Sequence, residues 1–308
     1  MKDLLTSVSL RRLQVFLAVC DTQHMARAAE RLGVAQPALS QQIGALEQAL
    51  GVKLFHRRNR GIDLTEAGQA CRIEAQRLLA LHHGAIDAVR RTAKGEVGRI
   101  ALGYVGTAMF SRTFPAQLKA MREAFPDVEF FLREGSIATQ LAGLESGELD
   151  VALVRAPVHM EMPLRHRFHS RQELVVILPS DHPLANWEKV PIESLATEPM
   201  IGFPDLDDVG IGRVVTQLAA AAGCKIQVKW RVTEIGSILG LVAAGLGYGI
   251  VPRDVAMYAR PWTVMRPLAE PNAYSDCWLV WNEQRETPVL NRFLEIAMPE
   301  EETEADGR

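Results

Sequence analysis

Apolar residues recur at helical spacing over three consecutive segments near the N-terminus, which predicts short helices over residues 10–19, 24–32 and 36–50. Gly33 falls between the second and third segments and can supply a turn. Pro37 falls in the first turn of the third segment, where its missing N–H costs nothing. The third helix is expected to turn four residues to the core: Ala38, Ile43, Leu46 and Leu50. This pattern is typical of a helix-turn-helix.

The outward face of the third predicted helix is polar near its N-terminal end. It carries Gln36, Pro37, Ser40 and Gln41. In a helix-turn-helix this end points into the major groove of DNA, where a glutamine side chain can pair bidentately with adenine. These four residues are therefore predicted to contact DNA, and the alternative is an ordinary solvated amphipathic helix.

Two short strand-like runs follow within residues 53–64, and a basic turn joins them. Three arginines share its tip, Arg57, Arg58 and Arg60. Beside a helix-turn-helix the hairpin is interpreted as a wing whose arginines contact phosphates or an adjoining narrow minor groove. The alternative is a solvated charged loop.

A long alanine-rich segment, residues 66–94, contains no proline and predicts one continuous helix. At about 1.5 Å per residue it would span about 45 Å. Its apolar positions form one stripe of Cys71, Leu78, Leu81, Ala85 and Ala88, and a second of Ile73 and Leu79. One helix cannot cover both stripes by itself, so a partner helix is implied and a symmetric dimer is the economical solution.

The distribution of charge changes the picture more than its sum of −3. Residues 1–94 carry 14 Lys and Arg against 8 Asp and Glu, a net charge of +6, and the remainder carries 20 against 29, a net charge of −9. A basic N-terminal module on an acidic body is expected when only the first part meets nucleic acid.

Beyond residue 95 strand and helix patterns alternate, which predicts an α/β fold with parallel sheets covered by helices. Strands are predicted over residues 99–105, 128–132, 151–154, 174–178, 200–203, 226–232, 248–251 and 278–281. Helices are predicted over residues 114–124, 137–144, 211–222, 236–244 and 288–297. The most apolar stretch, residues 235–251, is broken by glycines and favours a helix, a turn and a buried strand over a membrane span.

Several classes of protein are disfavoured by what the chain lacks. The N-terminus has no apolar core with a cleavage site, so a cytoplasmic protein is expected. Cys20, Cys71, Cys224 and Cys277 are scattered, which argues for reduced thiols, with a redox sensor as the rarer alternative. No Walker loop, HExxH or GxSxG motif is present and the histidines are dispersed, so no enzyme, metal site or cofactor is predicted.

The N-terminal residues resemble the signature of LysR-type transcriptional regulators. The match runs through Ala28-Ala29-Glu30-Arg31-Leu32, Ala35-Gln36-Pro37-Ala38-Leu39-Ser40-Gln41-Gln42-Ile43, Leu46-Glu47, Leu50-Gly51, Leu54-Phe55, Arg57, Leu64-Thr65 and Ala67-Gly68. The resemblance implies that Gln36, Pro37, Ser40 and Gln41 lie on the recognition helix and that Arg57 and Arg60 lie on the wing. Two positions depart from it: Ala35 stands where many members have a capping serine, and Ala26 where a hydroxyl often contacts phosphate.

The C-terminal residues resemble the effector-binding domain of the same family. The match runs through Gly103-Tyr104-Val105-Gly106-Thr107, Phe125-Pro126, Glu134-Gly135-Ser136, Gln140-Leu141, Gly147-Glu148-Leu149-Asp150-Val151-Ala152-Leu153, His182-Pro183-Leu184-Ala185 and Leu241-Val242-Ala243-Ala244-Gly245-Leu246-Gly247. The resemblance implies a two-subdomain fold like that of type 2 periplasmic binding proteins, with subdomain I at 95–168 and 268–299 and subdomain II at 169–267. The expected order is a winged helix-turn-helix over 1–64, a linker helix over 65–94, the effector domain over 95–299 and an acidic tail over 300–308.

A ligand in such a domain is expected in the crevice at the carboxyl ends of the strands, where helix N-termini favour anions. The candidate effector-binding residues are Gly106, Thr107, Ser136, Arg155, Phe203, Pro204 and Ile235. Thr107 and Ser136 are predicted to hold a carboxylate, and Phe203 and Ile235 to supply apolar walls. The alternatives are that the two hydroxyls are plain helix caps and that Arg155 serves an ion pair between subdomains.

Details of three segments, residues 23–29, 103–105 and 273–275, resemble the branch of the family that governs catabolism of aromatic compounds and senses muconate-like dicarboxylates. The implied partners are double-stranded operator DNA, a small-molecule effector, RNA polymerase and further copies of the chain in a homodimer or homotetramer. A solute-binding protein is the alternative that shares the C-terminal architecture, and the basic helix-turn-helix argues against it.

Overall fold

The chain folds as two units, residues 1–90 and 91–308, in a computed structural model that describes residues 8–58, 61–160, 163–203, 208–258 and 261–298. The first unit contains helices, a short hairpin and most of a long helix. The second contains a sheet with helices on both faces.

Three short helices begin the first unit, as the apolar spacing predicts. They are α1 (Leu10–Thr22), α2 (Met25–Leu32) and α3 (Gln36–Leu50). Gly33 closes α2 at a φ of +65°, a left-handed conformation that glycine adopts without steric cost. Ala35 gives α3 no side-chain cap, so this departure from the family signature leaves the first N–H groups of the helix without that acceptor.

Of the four core residues predicted for α3, Ile43 and Leu46 are buried and the other two are not. Ala38 is exposed and Leu50 is 37% exposed, whereas Leu39, Ile43 and Leu46 are buried. Adjacent helical residues lie about 100° apart, so a stripe that contains Leu39 turns Ala38 to solvent. The larger side chain takes the core position, where it packs with Phe16, Val19 and Ala28, among others.

A hairpin and a long helix complete the first unit. Strands β1 (Phe55–Arg58) and β2 (Gly61–Leu64) pair antiparallel, with Phe55 opposite Leu64. Helix α4 (Glu66–Ala93) follows and extends into the second unit. Gly68 lies so close to the hairpin that an added Cβ would be 2.1 Å from the Leu54 carbonyl oxygen. A side chain there would force the helix away from the hairpin.

The second unit alternates strands and helices. Its strands are β3 (Val97–Tyr104), β4 (Asp127–Glu134), β5 (Val151–Arg155), β6 (Leu164–Pro179), β7 (Pro199–Gly202), β8 (Gln227–Arg231), β9 (Tyr248–Pro252), β10 (Thr263–Pro267) and β11 (Tyr274–Asn282). Its helices are α5 (Thr113–Ala124), α6 (Ile137–Ser146), α7 (Gly210–Ala221), α8 (Ile235–Ala243) and α9 (Pro288–Ala297). The described strands follow the order β4-β3-β5-β11-β6-β9-β7-β8, and β10 also pairs with β6.

Two lobes share this sheet because β6 runs through both. Its first part pairs with β11 as far as Glu173, and from Leu174 onward it pairs with β9. The first lobe contains β3, β4, β5 and β11, and its core includes Ile100, Phe114 and Phe293. The second lobe contains β7 to β10 and has cores on both sides of its sheet.

The expected parallel pairs are present in both lobes, but the sheet is mixed. β3 runs parallel to β4 and β5, and β7 runs parallel to β8 and β9, but β11 and β10 are antiparallel to their neighbours. Strand β6 is also longer than the predicted 174–178. Its first half, which pairs with β11, is polar and shows no apolar pattern that would have predicted a strand. Strand β10, which no pattern predicted, carries Arg266 and Pro267 and pairs at one side of β6.

The glycine-broken stretch over residues 235–251 forms helix α8, a turn and the buried strand β9, as predicted. Among the residues that the structure describes, no helix combines the length and apolar character that a bilayer crossing requires.

Candidate functional site

The polar end of α3 presents the predicted side chains outward. Gln36, Pro37 and Gln41 are exposed, and Ser40 is half-buried. All four lie within the first two turns of the helix. The neighbouring Gln42 faces inward, where its Oε1 accepts a hydrogen bond of 3.0 Å from Arg12 Nε. The first two turns of α3 thus offer amides and a hydroxyl to a partner, while Gln42 ties the helix to α1.

The hairpin is anchored to α3 by a buried carboxylate. Glu47 accepts hydrogen bonds from the Leu54 N–H at 3.0 Å and from Lys53 Nζ at 2.6 Å. Burial would raise the pKa of Glu47, but these hydrogen bonds outweigh it and hold the pKa below its usual value. The carboxylate therefore fixes where the chain enters β1.

The predicted wing arginines lie on or beside this hairpin. The backbone of Arg57 and Arg58 belongs to β1, opposite Ile62 and Gly61. Arg60 and the side chains of Arg57 and Arg58 fall outside the described part of the chain.

A cavity of about 620 Å³ lies in the second unit, and both of its lobes contribute to the walls. Six of the seven candidate effector residues line it: Gly106, Thr107, Ser136, Arg155, Phe203 and Ile235. The seventh, Pro204, falls outside the described residues. The parallel strands β3, β4 and β5 end at Tyr104, Glu134 and Arg155, so their carboxyl ends meet at this edge of the sheet.

Three helices begin at the cavity wall. Its lining includes Ser136 and Ile137 at the start of α6, Ile211 and Gly212 at the start of α7, and Glu234 and Ile235 at the start of α8. Helix N-termini present N–H groups and the positive end of the helix dipole, so their convergence favours an anion.

The two candidate hydroxyls have structural partners as well. Ser136 is the N-cap of α6, with its Oγ accepting from the Thr139 N–H at 3.3 Å, and it also lines the cavity. Thr107 is buried, and its Oγ1 accepts a hydrogen bond of 3.2 Å from Arg155 Nε. A hydroxyl that accepts one bond keeps its own proton for a second partner.

Arg155 is 3% exposed and forms no ion pair with a described residue, so the alternative of an ion pair between the lobes is wrong. Its Nη2 donates to Gln172 Oε1, and Gln172 in turn donates to Asp254. Its Nη1 is buried, and no described residue forms a hydrogen bond with it. Burial lowers the pKa of Arg155, and the charges of nearby groups, Asp254 and Asp276 among them, offset only part of this effect.

The rest of the wall is largely apolar, but the charges it carries were not among the predicted residues. Met109, Phe110 and Val228 join Phe203 and Ile235 in the lining. Glu134, Arg231 and Glu234 add charge. A signal for Glu134 existed, since it ends a strand next to the predicted Ser136, but a charge at a strand end is usually a solvated surface group.

The cysteines are free thiols, and three of them are poorly suited to oxidation. Burial raises the pKa of Cys20 to about 12 and also raises the pKa values of Cys71 and Cys277. Because the thiolate is the reactive form, a raised pKa reduces reactivity toward oxidants.

Comparison with known proteins assigns both units to described families. Residues 10–69 match a model described as "Bacterial regulatory helix-turn-helix protein, lysR family", and residues 93–300 match "LysR substrate binding domain". A similar curated protein is the HTH-type transcriptional regulator YnfL of Escherichia coli (strain K12), 35% identical over 291 residues that cover 93% of this chain and 97% of YnfL.

Two solved structures of CbnR, a LysR family transcriptional regulator, are similar along most of the chain. The first has a TM-score of 0.83 at 28% identity and covers 94% of this chain and 100% of CbnR. The second, full-length CbnR complexed with its target DNA, has a TM-score of 0.79 at 28% identity and covers 94% of this chain and 98% of that one.

Proposed function

Because this chain belongs to the LysR family of DNA-binding transcriptional regulators, we propose that it controls transcription in response to a small carboxylate that binds in the cavity of the second unit. The observation that carries the proposal is Arg155: a buried guanidinium in the cavity wall whose Nη1 has no hydrogen-bond partner among the described residues. Nη1 is closed to water in the cavity wall, so binding requires a small shift of the wall, after which an anion would receive a charge-assisted hydrogen bond from Nη1 and a hydrogen bond from the Thr107 hydroxyl.

The energetics of Arg155 favour this ligand over a neutral one. Leaving a buried donor unpaired costs about 1–3 kcal/mol, and more for a charged group. A bound carboxylate offsets that cost and supplies the missing counter-charge. The N-termini of α6, α7 and α8 add favourable dipoles. Ser136, at the start of α6, and the backbone of Gly106 complete the anion subsite.

The apolar walls suit the hydrocarbon part of such an acid. Phe203 and Ile235 line the cavity from the second lobe, and Pro204 follows Phe203 in the sequence. A cavity of a few hundred Å³ accepts a small organic molecule. We therefore extend the proposal to acids formed in the breakdown of aromatic compounds.

DNA recognition is assigned to α3 and the hairpin. Gln36, Ser40 and Gln41 would contact base edges or phosphates in the major groove, with Pro37 in the first turn of the helix. Arg57, Arg58 and Arg60 would contact the DNA backbone beside it.

Assembly is assigned first to α4, which leaves Leu78, Leu81 and Val89 exposed. We propose that α4 pairs with its copy in a homodimer and that two dimers form a homotetramer. Ligand binding would favour one arrangement of the lobes, alter the spacing of the DNA-binding modules and so change recruitment of RNA polymerase.

Ligand binding is tested by a thermal-shift screen of the purified full chain against a broad panel of small carboxylates. We expect at least one acid to raise Tm, and Arg155→Met to weaken its binding at least tenfold. Arg165→Met is the matched control, because Arg165 is an exposed arginine that pairs with Glu283. A panel without any response, or equal binding by the Arg155 variant, would overturn the proposed ligand.

DNA recognition is tested by two glutamine variants of α3. Gln41→Ala should lower affinity for the operator by about tenfold, since a good base contact contributes about 1–3 kcal/mol. Gln48→Ala, an exposed glutamine in the last turn of the same helix, should bind as the wild type does. Equal affinities for both variants would remove Gln41 from the interface.

A further inference from the structure

We propose that the cavity selects a carboxylate that also carries a hydrogen-bond donor, either an ammonium or a hydroxyl group, and that Glu134 recognises this donor and rejects a second carboxylate. The inference rests on the proposed function, because it concerns the same ligand. It goes further by naming what the rest of the ligand must carry.

Glu134 lies at the cavity wall beside the loop that carries Thr107. It is the last residue of β4, it lines the cavity, and it forms neither a hydrogen bond nor an ion pair with any residue that the structure describes. A Cβ added to Gly106 would lie 2.2 Å from Glu134 Oε1, so the carboxylate rests against the backbone of Gly106. Glycine at this position provides the space for the carboxylate.

Gly106 is also the immediate neighbour of Thr107, which accepts a hydrogen bond from Arg155. Consecutive Cα atoms lie about 3.8 Å apart, so Glu134 and Arg155, which end β4 and β5, meet neighbouring residues of the same loop. One small molecule can therefore reach both groups at once.

The cavity wall carries equal numbers of basic and acidic side chains. Arg155 and Arg231 are the basic groups of the lining, and Glu134 and Glu234 are the acidic groups. Arg231 belongs to the second lobe, and its Nη1 donates to the Phe203 carbonyl at 3.2 Å. The described lining is thus neutral in sum, which suits a ligand that carries both a negative group and a donor.

Loss of water from Glu134 on ligand binding explains why the ligand needs a hydrogen-bond donor. Glu134 is exposed, so a ligand that settles on Arg155 and Thr107 would cover part of its carboxylate. A carboxylate that loses water without gaining a donor is costly. An ammonium or hydroxyl group replaces that water. A second carboxylate in the same place would add like-charge repulsion, so the site discriminates against it.

The test uses ligands that share one skeleton and differ in one group. Benzoate, 3-hydroxybenzoate, 3-(aminomethyl)benzoate and isophthalate form one set, and pentanoate, 5-hydroxypentanoate, 5-aminopentanoate and glutarate form another. The same comparison is then made on the skeleton of each acid found in the broad carboxylate screen. Binding to the full chain is measured by calorimetry.

We expect the hydroxyl-bearing or ammonium-bearing acid to bind at least tenfold more tightly than the plain acid and the diacid of the same skeleton. Comparison of the hydroxyl and ammonium arms identifies which donor is used. Glu134→Gln should weaken the ammonium-bearing acid by about tenfold, and Glu134→Lys should shift the preference toward the diacid. Glu129→Gln is the matched control, because Glu129 is an exposed glutamate on the same strand.

Gly106→Ala gives an independent readout, since the new Cβ must displace the Glu134 carboxylate. It should reduce the preference for donor-bearing acids. Tighter binding of the diacid, or an unchanged preference in the Glu134 variants, would overturn the inference while the proposed function stands. If no carboxylate binds, or if binding ignores Arg155, the proposed function itself fails.

Discussion

Arg155 Nε donates a hydrogen bond of 3.2 Å to Thr107 Oγ1, and both side chains are buried at the cavity wall. The bond joins the end of β5 to the turn after β3, so the guanidinium and the hydroxyl are fixed relative to each other. The account of ligand binding depends on this pair.

Replacing Thr107 by Val removes the hydroxyl but keeps the shape of the side chain. We expect ligand affinity to fall at least tenfold, because the variant loses a donor to the anion and leaves Arg155 Nε unpaired. Thr107→Ser is the control and should retain most of the affinity. Calorimetry measures both, and DNA affinity without ligand should be unchanged; loss of DNA binding as well would contradict the separation of the two functions.

Glu47 anchors the hairpin through two hydrogen bonds, and removing one donor or the whole carboxylate should lower stability by different amounts. Glu47→Ala leaves the buried Leu54 N–H without an acceptor and should lower the stability of the first unit by about 1–3 kcal/mol. Lys53→Met removes the exposed partner of the same carboxylate and should cost less than about 1 kcal/mol. Scanning calorimetry compares the stability of the two variants. Equal losses of stability would show that the hydrogen bond from the Leu54 N–H to Glu47 does not anchor the hairpin.

The buried His169 predicts a pH dependence of stability. Burial, together with the charge of the nearby Arg155, lowers the pKa of His169 from 6.5 to about 4. Between pH 6.5 and about 4, His169 is therefore protonated in the unfolded chain and neutral in the folded chain. The free energy of unfolding falls as the pH is lowered through this window. The contribution amounts to about 3 kcal/mol over the window. Denaturant titrations at several pH values measure it.

The control for this effect is an exposed histidine on the same strand. His169→Gln should remove this part of the dependence of unfolding free energy on pH, and His166→Gln should leave it in place. A slope that persists in the His169 variant would assign the pH dependence to other groups.

The exposed apolar face of α4 predicts the site of dimer formation. Leu78, Leu81 and Val89 lie on one side of the helix and remain exposed in the single chain. Leu78→Glu places a charge in this face and should shift the protein toward monomer in sedimentation velocity experiments. Ala80→Glu, on the opposite side of the same helix, should leave the assembly intact; dissociation in both variants would argue against this face.

The elements that the sequence predicted well are those with a strong amphipathic period. Helix α1 was located from its apolar period, and α2, α3 and α9 from apolar stripes that glycine or proline bounds. In α3 the prediction placed Ala38 in the core instead of Leu39, because both residues are apolar and the period alone does not choose between them. Volume decides, and the leucine is buried.

The first half of β6 was missed because its mostly exposed polar residues show no apolar alternation. β10 was missed because it is a short, largely half-buried strand that ends in Arg266 and Pro267. The wall of the cavity was foreseen from the ends of β3, β4 and β7, where parallel strands meet. The chemistry of Arg155 was not, because burial of a guanidinium and the absence of a partner for one nitrogen are tertiary properties. Glu134 was missed for a similar reason, since its contact with Gly106 joins distant parts of the sequence.

The most direct test of the account is a DNA-binding titration of the full chain, at several salt concentrations, against duplexes that tile the DNA beside its own gene. The account predicts that at least one duplex binds about 1,000-fold more tightly than a shuffled control, that affinity falls steeply with salt, and that a cavity-binding carboxylate changes the affinity or the footprint. Equal binding of every duplex at modest ionic strength would contradict it.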